Sequence, residues 1–338
     1  MNITINITKI ILISLLTLLL PAGCVLSGQT GPVDSVTSAT TAPETPEESG
    51  LSENPAQPPP PPPYQAFTFL FFSDTQPDPE TMDQSTTREL IIQAIMREDE
   101  LTGVIFGGDT VDDGGDEIQW RDFSYPFSSD LSRFITAAVA GNHDSNRLLV
   151  EQFDYPAQAP TLPGEGFFYS ISIGSVFFVM LDSNIMGAAN QRDIDWLRSE
   201  LQSETAGQAD WRIAVMHHPM WSVNDNPRDI RRADTMREFF LPIMEEYDVG
   251  LILCGHQHVY SRTMPMSGDT AAPDGSGIVQ VMAASGDKAT YTIGERDYVI
   301  ADDVAPNYLV LNIDADSITI TAFDGYHMEI DRFIMHNS

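Results

Sequence analysis

Apolar side chains first gather at residues 10–20, a run broken only by Ser14 and Thr17. A long polar stretch follows, and the pattern changes abruptly at Phe67. Phe67-Thr-Phe-Leu-Phe-Phe72 is almost continuously apolar, as a strand covered on both faces should be. Leu90, Ile91, Ala94 and Ile95 recur at helical spacing and predict a helix over 85–100. The pattern then predicts strands at 103–106 and 135–139 around a helix at 117–133. After these come strands at 167–173 and 176–182, a helix at 190–204 and a strand at 212–216. A helix at 231–247 and a strand at 249–253 complete the alternation. From Val259 on the chain reads as strand, with runs at 277–284, 308–313, 317–323 and 327–334. Early alternation with late strands predicts an α/β fold of two sheets packed face to face with helices outside. No internal repeat is visible.

The first apolar run is too short to span a bilayer and matches the central region of an export signal. It closes on Leu20-Pro21-Ala22-Gly23-Cys24, which resembles a bacterial lipobox. Pro21 stands where that pattern favours an aliphatic residue, and Lys9 is the one basic residue ahead of it. The expectation is an exported chain whose signal is 1–24, lipidated on Cys24 and held at the cell envelope; ordinary signal cleavage, and after it an uncleaved anchor, are the alternatives. Residues 25–66, rich in Ser, Thr, Pro, Gly and Glu and ending in the prolines 58–63, cannot bury a core and read as a tether. The remaining 67–338 forms one domain.

The 338 residues include 49 acids against 17 bases, a formal charge of −32. That balance argues against a surface for long nucleic acid, which needs a basic stripe to neutralise phosphates. Lys9 and Lys288 are the two lysines; a surface this acidic holds water and suits a protein adapted to salt. Cys24 and Cys254 are too few for a disulfide framework or a cysteine zinc cluster. Cys254, inside an apolar run, reads as a small buried side chain.

The chemistry concentrates just past the predicted strands. Asp74, Asp109, Asn142, His143, His217, His218, His256 and His258 all lie there, and open α/β sheets gather ligands at the carboxyl ends of their strands. Singly, each has a bland account, since an Asp after a strand caps a helix and a lone His packs. Successive strand ends that each deliver oxygen or imidazole donors argue for one shared site. Such donors, with no thiolate among them, suit hard or borderline cations. Two ions about 3.5–4 Å apart can clamp the attacking and leaving oxygens of a phosphoryl displacement.

Phe72-Ser-Asp-Thr-Gln76, Gly107-Gly-Asp109, Gly141-Asn-His-Asp144, His217-His-Pro219 and Gly255-His-Gln-His258 resemble, in order and spacing, the five signatures of calcineurin-like metallophosphoesterases. The resemblance spans roughly residues 67–262. Leu181-Asp-Ser183 and Gln191 with Trp196-Leu197 are similar to secondary features of that family, and the stretches 217–222 and 258–262 to its purple acid phosphatase-like branch. The resemblance implies a four-layer α-β-β-α sandwich of two mixed sheets and a centre for two metal ions, Fe, Mn or Zn. Asp74, Gln76, Asp109 and His258 would hold one ion, and Asp109, Asn142, His217 and His256 the other. His143 would protonate the leaving group or bind a phosphoryl oxygen, oriented by Asp144, while a hydroxide held by the metals attacks phosphorus. His218 would support the site without ligating.

Many members carry His where this chain has Gln76, so one ion meets a weaker, neutral donor there. Asp112 replaces the branch's iron-binding Tyr, which predicts no tyrosinate colour. Trp221, Tyr260 and Arg262 flank ligands and are expected to line the substrate pocket. Arg228, Arg231 and Arg232 are expected to form a solvated helix face, and Asp112–Asp116, with its two glycines, a mobile acidic loop.

These readings converge on an exported, tethered monomer that hydrolyses a small phosphate ester with two metals. A cyclic-nucleotide or nucleotide phosphodiesterase, and a phosphate-ligand-binding lipoprotein without turnover, are the alternatives.

Overall fold

The computed structural model describes residues 66–337 apart from 125–130, 132, 154–166, 187–189, 274 and 289. The expected signal with Cys24, and the tether but for Ala66, lie outside the described residues. Among the described residues no helix is long and apolar enough to cross a membrane.

Two mixed sheets form the centre. One has the order β15 (Glu329–His336), β14 (Ser317–Asp324), β13 (Asn307–Ile313), β1 (Phe67–Phe72), β2 (Gly103–Phe106), β3 (Ile135–Ala138). The other runs β12 (Val299–Val304), β8 (Val259–Thr263), β11 (Val279–Met282), β7 (Leu251–Cys254), β6 (Trp211–Met216), β5 (Val176–Leu181), β4 (Tyr169–Ile173). A short hairpin, β9 (Met266–Ser267) with β10 (Thr270–Ala271), stands apart. β1, β2 and β3 are mutually parallel, as are β5, β6, β7 and β11, so each sheet gathers several carboxyl ends along one edge.

The period-2 alternation of strands assigns every side chain a layer. In β1, Phe67, Phe69 and Phe71 enter the core between the sheets, where Phe69 meets Phe178 of β5 edge-on at 5.3 Å. Leu70 and Phe72 face outward, against Leu90 and Ile91 of α1 (Ser85–Arg97), Trp120 of α2 (Glu117–Ser124) and Leu149 of α3 (Asn146–Gln152). Across the molecule, a short α4 (Ser183–Met186) precedes α5 (Gln191–Leu201), α6 (Glu204–Gln208), α7 (Pro227–Phe239) and α8 (Leu241–Glu246). Leu197, Leu201, Met236, Phe240 and Ile243 from this side cover the outer face of the second sheet, completing the four layers.

Several boundaries differ from the sequence pattern for local reasons. The helix expected over 190–204 stops at Gln202, and Ser203 accepts from Ala206 N to cap a separate turn. The helix expected over 231–247 starts four residues earlier, where Asn226 caps it and Pro227 opens it. It breaks at Phe240, because Pro242 lacks the N–H that would continue the ladder. Helix α1 ends at Arg97, three residues short of the expected end.

Candidate metal centre

The carboxyl ends of the two sheets meet. The loop after β1 donates from Asp74 N to Gly108 O at 2.9 Å, and from Gln76 N to Asp109 O at 3.1 Å, tying it to the loop after β2. Gly255 N, past β7, donates to His217 O, past β6, at 2.9 Å. The sheets are then joined side chain to backbone, since His256 N donates to Asp74 Oδ2 at 2.8 Å and His217 Nδ1 to Gly107 O at 2.9 Å. Ligand atoms of Asp74, Asp109 and His217 all lie within 4.8 Å of one another, as do those of His217, His218 and His256. His258 Nε2 stands 3.4 Å from Asp74 Oδ1.

Of the seven non-glycine residues with positive φ among the described residues, four are at this site. Asp74, Asp109, His256 and His258 all adopt positive φ, between 50° and 76°. That region disfavours any residue with a Cβ, and strained residues persist where the surroundings over-determine them, often at functional sites. Neighbouring glycines allow the crowding: a Cβ on Gly255 would stand 2.2 Å from Asp74 Oδ2, and one on Gly141 2.2 Å from Asp109 Oδ1.

The charges at the site depend on one another. Burial alone would raise the Asp109 carboxyl, but the charge of His217 and then of His143 holds it well below the usual carboxylate range. Burial likewise opposes a charged His217, yet Asp109 and then Asp74 lift it to about 9. His217 Nδ1 faces a carbonyl and so holds a proton, leaving Nε2 aimed at Asp109 Oδ2, 3.3 Å away. That Nε2 and Gln76 Oε1 are both buried without a hydrogen-bond partner. Carboxylates, imidazoles and an orphaned amide oxygen, gathered with no thiolate, fit a hard or borderline cation.

The model of the calcineurin-like phosphoesterase family matches residues 67–260. The chain belongs to that family. Over 160 residues it is 31% identical to an uncharacterised protein of Mycobacterium tuberculosis, covering 40% of this chain and 30% of that one. Over 164 residues it is 25% identical to purple acid phosphatase 23 of Arabidopsis thaliana, covering 46% and 34%. The chain thus spans about a third of the length of the curated relatives it matches. Purple acid phosphatase from yellow lupin (Lupinus luteus) seeds shares the fold, with a TM-score of 0.67 at 15% identity over 80% of this chain and 54% of that one.

The other expected residues of the phosphoesterase site fall in several places. Gln76 is fully buried, its Nε2 donating to Asp109 Oδ2 at 3.1 Å. Asn142 lies exposed between Gly141 and His143. Asp144 does not orient the His143 ring. Its carboxylate accepts from Thr110 N and Gly141 N, both at 2.9 Å, and so clamps the loops after β2 and β3 together. Burial, then the charge of Asp109, pushes that carboxyl up to about 7. The His143 ring is held instead by Asp112 O at 2.6 Å and Lys288 Nζ at 3.0 Å. His218 contacts Ser183 Oγ and Arg232, with its ring 4.2 Å from that of His256. Burial, then the neighbouring imidazoles, pushes His218 well below its ordinary value.

Three further expectations are corrected. Trp221, Tyr260 and Arg262 do not line a pocket at the site. Trp221 is buried under the helices, Tyr260 lies between the sheets, and Arg262 pairs with Asp331 at 2.6 Å. Arg228 and Arg231 are exposed, but Arg232 is half-buried against His218. The Asp112–Asp116 loop is tied down, with Gly114 N donating to His143 O at 2.8 Å and Trp120 Nε1 to Gly114 O at 3.0 Å.

Sequence reasoning missed Asp229, 3.3 Å from His256 Nε2, and Tyr291, stacked on His258 at 5.0 Å. It also missed Lys288, for which a signal existed: the residue follows a predicted strand, as the candidate ligands do.

Proposed function

We propose that the chain hydrolyses small phosphate esters at a centre of two cations. Asp74, Gln76, Asp109 and His258 would hold one, and Asp109, Asn142, His217 and His256 the other. The carrying observation is the pair of orphaned atoms among buried carboxylates. A proton on His217 Nε2 would answer Asp109, but it leaves Gln76 Oε1 without a donor; a cation answers both. When bound, the cations supply charge stabilisation at the phosphoryl oxygens and a more acidic water. The chain's own residues position the rest. Asp112 O holds His143 Nδ1, which turns the Nε2 edge of the ring toward Lys288, and Asp144 fixes the backbone that carries Asp109 and Gly141. The export signal and Cys24 would place this chemistry at the cell envelope.

The test uses the full chain, stripped of metal and reloaded separately with Mn, Zn or Fe, on a nitrophenyl phosphate monoester and diester. Turnover that requires metal and disappears in Asp109→Asn supports the reading. Two bound ions without turnover of either ester overturn it in favour of a phosphate-ligand-binding lipoprotein.

A further inference from the structure

Lys288 stands at the edge of the candidate centre, and no ligand assignment uses it. It is one of two lysines in a chain with 49 acids. Its ammonium lies 3.0 Å from His143 Nε2 and 3.3 Å from Asp112 Oδ1, with 19% of the side chain exposed. An ammonium has three donors, so one has no protein partner among the described residues.

The fold builds this position deliberately from both sides. Past β11, Ser285 N donates to Ser73 O at 2.7 Å and Gly286 N to Asp74 O at 2.9 Å. A Cβ on Gly286 would fall 2.4 Å from Asp74 O, so the Lys288 loop lies tight on the loop that carries Asp74. Opposite, His143 N donates to Asp109 Oδ1 at 2.8 Å and its Nδ1 to Asp112 O at 2.6 Å. A carbonyl oxygen only accepts, so Nδ1 holds the proton and Nε2 presents its lone pair to the ammonium. Asp112, Lys288 and His143 therefore form one row beside Asp109.

We propose that Lys288 binds a peripheral phosphoryl oxygen of the substrate and makes the site prefer phosphate monoesters over diesters. The inference rests on the phosphoesterase reading above and adds its substrate class. Lysine meets phosphate as a point charge, and its attraction scales with the charge it meets. A monoester brings nearly two negative charges at neutral pH and a diester one. The remaining surface offers an anion no long-range attraction, because the chain is strongly acidic, so discrimination falls to groups in contact. A Lys–Asp tie that merely closes a loop predicts no such difference between esters.

The deciding experiment compares the metal-loaded full chain with its Lys288→Met and Lys288→Arg variants. It measures kcat/KM for 4-nitrophenyl phosphate and bis(4-nitrophenyl) phosphate, inhibition by inorganic phosphate, and Tm. Lys288→Met should lower monoester kcat/KM about 10- to 100-fold and weaken phosphate inhibition by a similar factor. Diester turnover should change less than about threefold, with Lys288→Arg recovering most of the monoester activity. Equal losses on both esters, or unchanged phosphate inhibition, overturn the proposal. If the wild type turns over neither ester, the phosphoesterase reading itself falls. Calorimetric titration of inorganic phosphate into wild type and Lys288→Met then judges Lys288 separately, and equal affinities would overturn its role too.

Discussion

Gln76 Nε2 donates to Asp109 Oδ2 at 3.1 Å and leaves Gln76 Oε1 buried without a donor. The nitrogen thus stays on Asp109 while the oxygen is left for an ion, so one residue can serve the site with or without one. Its neutral oxygen is a weaker donor than an imidazole. Gln76→His should therefore retain both ions through dialysis against a mild chelator, while the wild type loses part of one. Gln76→Ala should weaken that site on the order of 10-fold. Metal content per chain decides this, and equal retention by all three proteins removes Gln76 from the ligand set.

Gly255 tests the crowding. A Cβ there would press within 2.2 Å of Asp74 Oδ2 and 1.9 Å of Ser73 Oγ, so Gly255→Ala must move the carboxylate or the loop. A displacement of about 1 Å at a reacting centre costs roughly 100-fold, which is the loss in kcat/KM expected. Gly207→Ala is the control, because its Cβ would meet nothing within 4 Å and it lies in a helix. That variant should keep full activity and gain up to about 1 kcal/mol of stability.

Much of this site was legible because its residues lie where strands end. The run Phe67–Phe72 announces a buried strand, and Asp74 follows it; Asp109, His217 and His256 repeat the relation. Adjacency failed where the backbone turned. His258 has φ of 50°, which breaks the alternation, so Tyr260 two residues on faces the core between the sheets rather than the site. Strand β12 gave little pattern because it is an edge strand whose Asp302 and Asp303 replace the apolar alternation. Asp229 and Arg232 reach the site only through the docking of a helix, which no local spacing encodes.

Asp331 joins the two sheets. Its Oδ2 accepts from Tyr260 OH and from Arg262 Nε of β8, both at 2.6 Å, while Asp331 itself lies on β15. Burial would raise its carboxyl, but the hydrogen bonds from Arg262 and Tyr260 prevail and hold it below the usual range. A depressed folded value means that the stabilisation is complete above the unfolded carboxylate pKa, about 3.9, and is lost as pH falls through the folded value. Asp331→Asn should cost on the order of 2 kcal/mol at pH 7. Urea unfolding at pH 7 and below pH 3 checks the sign: the difference between the proteins should shrink in acid, and a constant difference refutes the ion-pair account.

Metal binding should be visible as stability independent of turnover. A ligand at 100 times its Kd adds about 2.7 kcal/mol, and each kcal/mol shifts Tm by roughly 2–4 °C in a domain of this size. Loading the stripped protein with Mn or Zn should raise Tm by roughly 5–10 °C, and Asp109→Asn should erase most of that rise. A rise that persists in Asp109→Asn would place the ions elsewhere.

The charge of −32 makes the fold work against itself at low ionic strength. Salt shortens the Debye length from about 10 Å at 0.1 M to about 3 Å at 1 M, so repulsion between separated carboxylates fades over that range. Tm should rise with NaCl and gain most of its increment below about 0.5 M, where screening changes fastest; solute exclusion, by contrast, grows steadily at higher concentrations. The same field repels an anionic ester, so kcat/KM for a phosphate monoester should also climb with salt, opposite to an enzyme that steers its substrate with a basic surface. Lys288, in contact with the substrate, should keep its preference for monoesters throughout that climb. A Tm no higher in molar salt would remove the salt-adapted reading of this surface, and a falling kcat/KM would show that local cations, rather than the global charge, govern approach to the site.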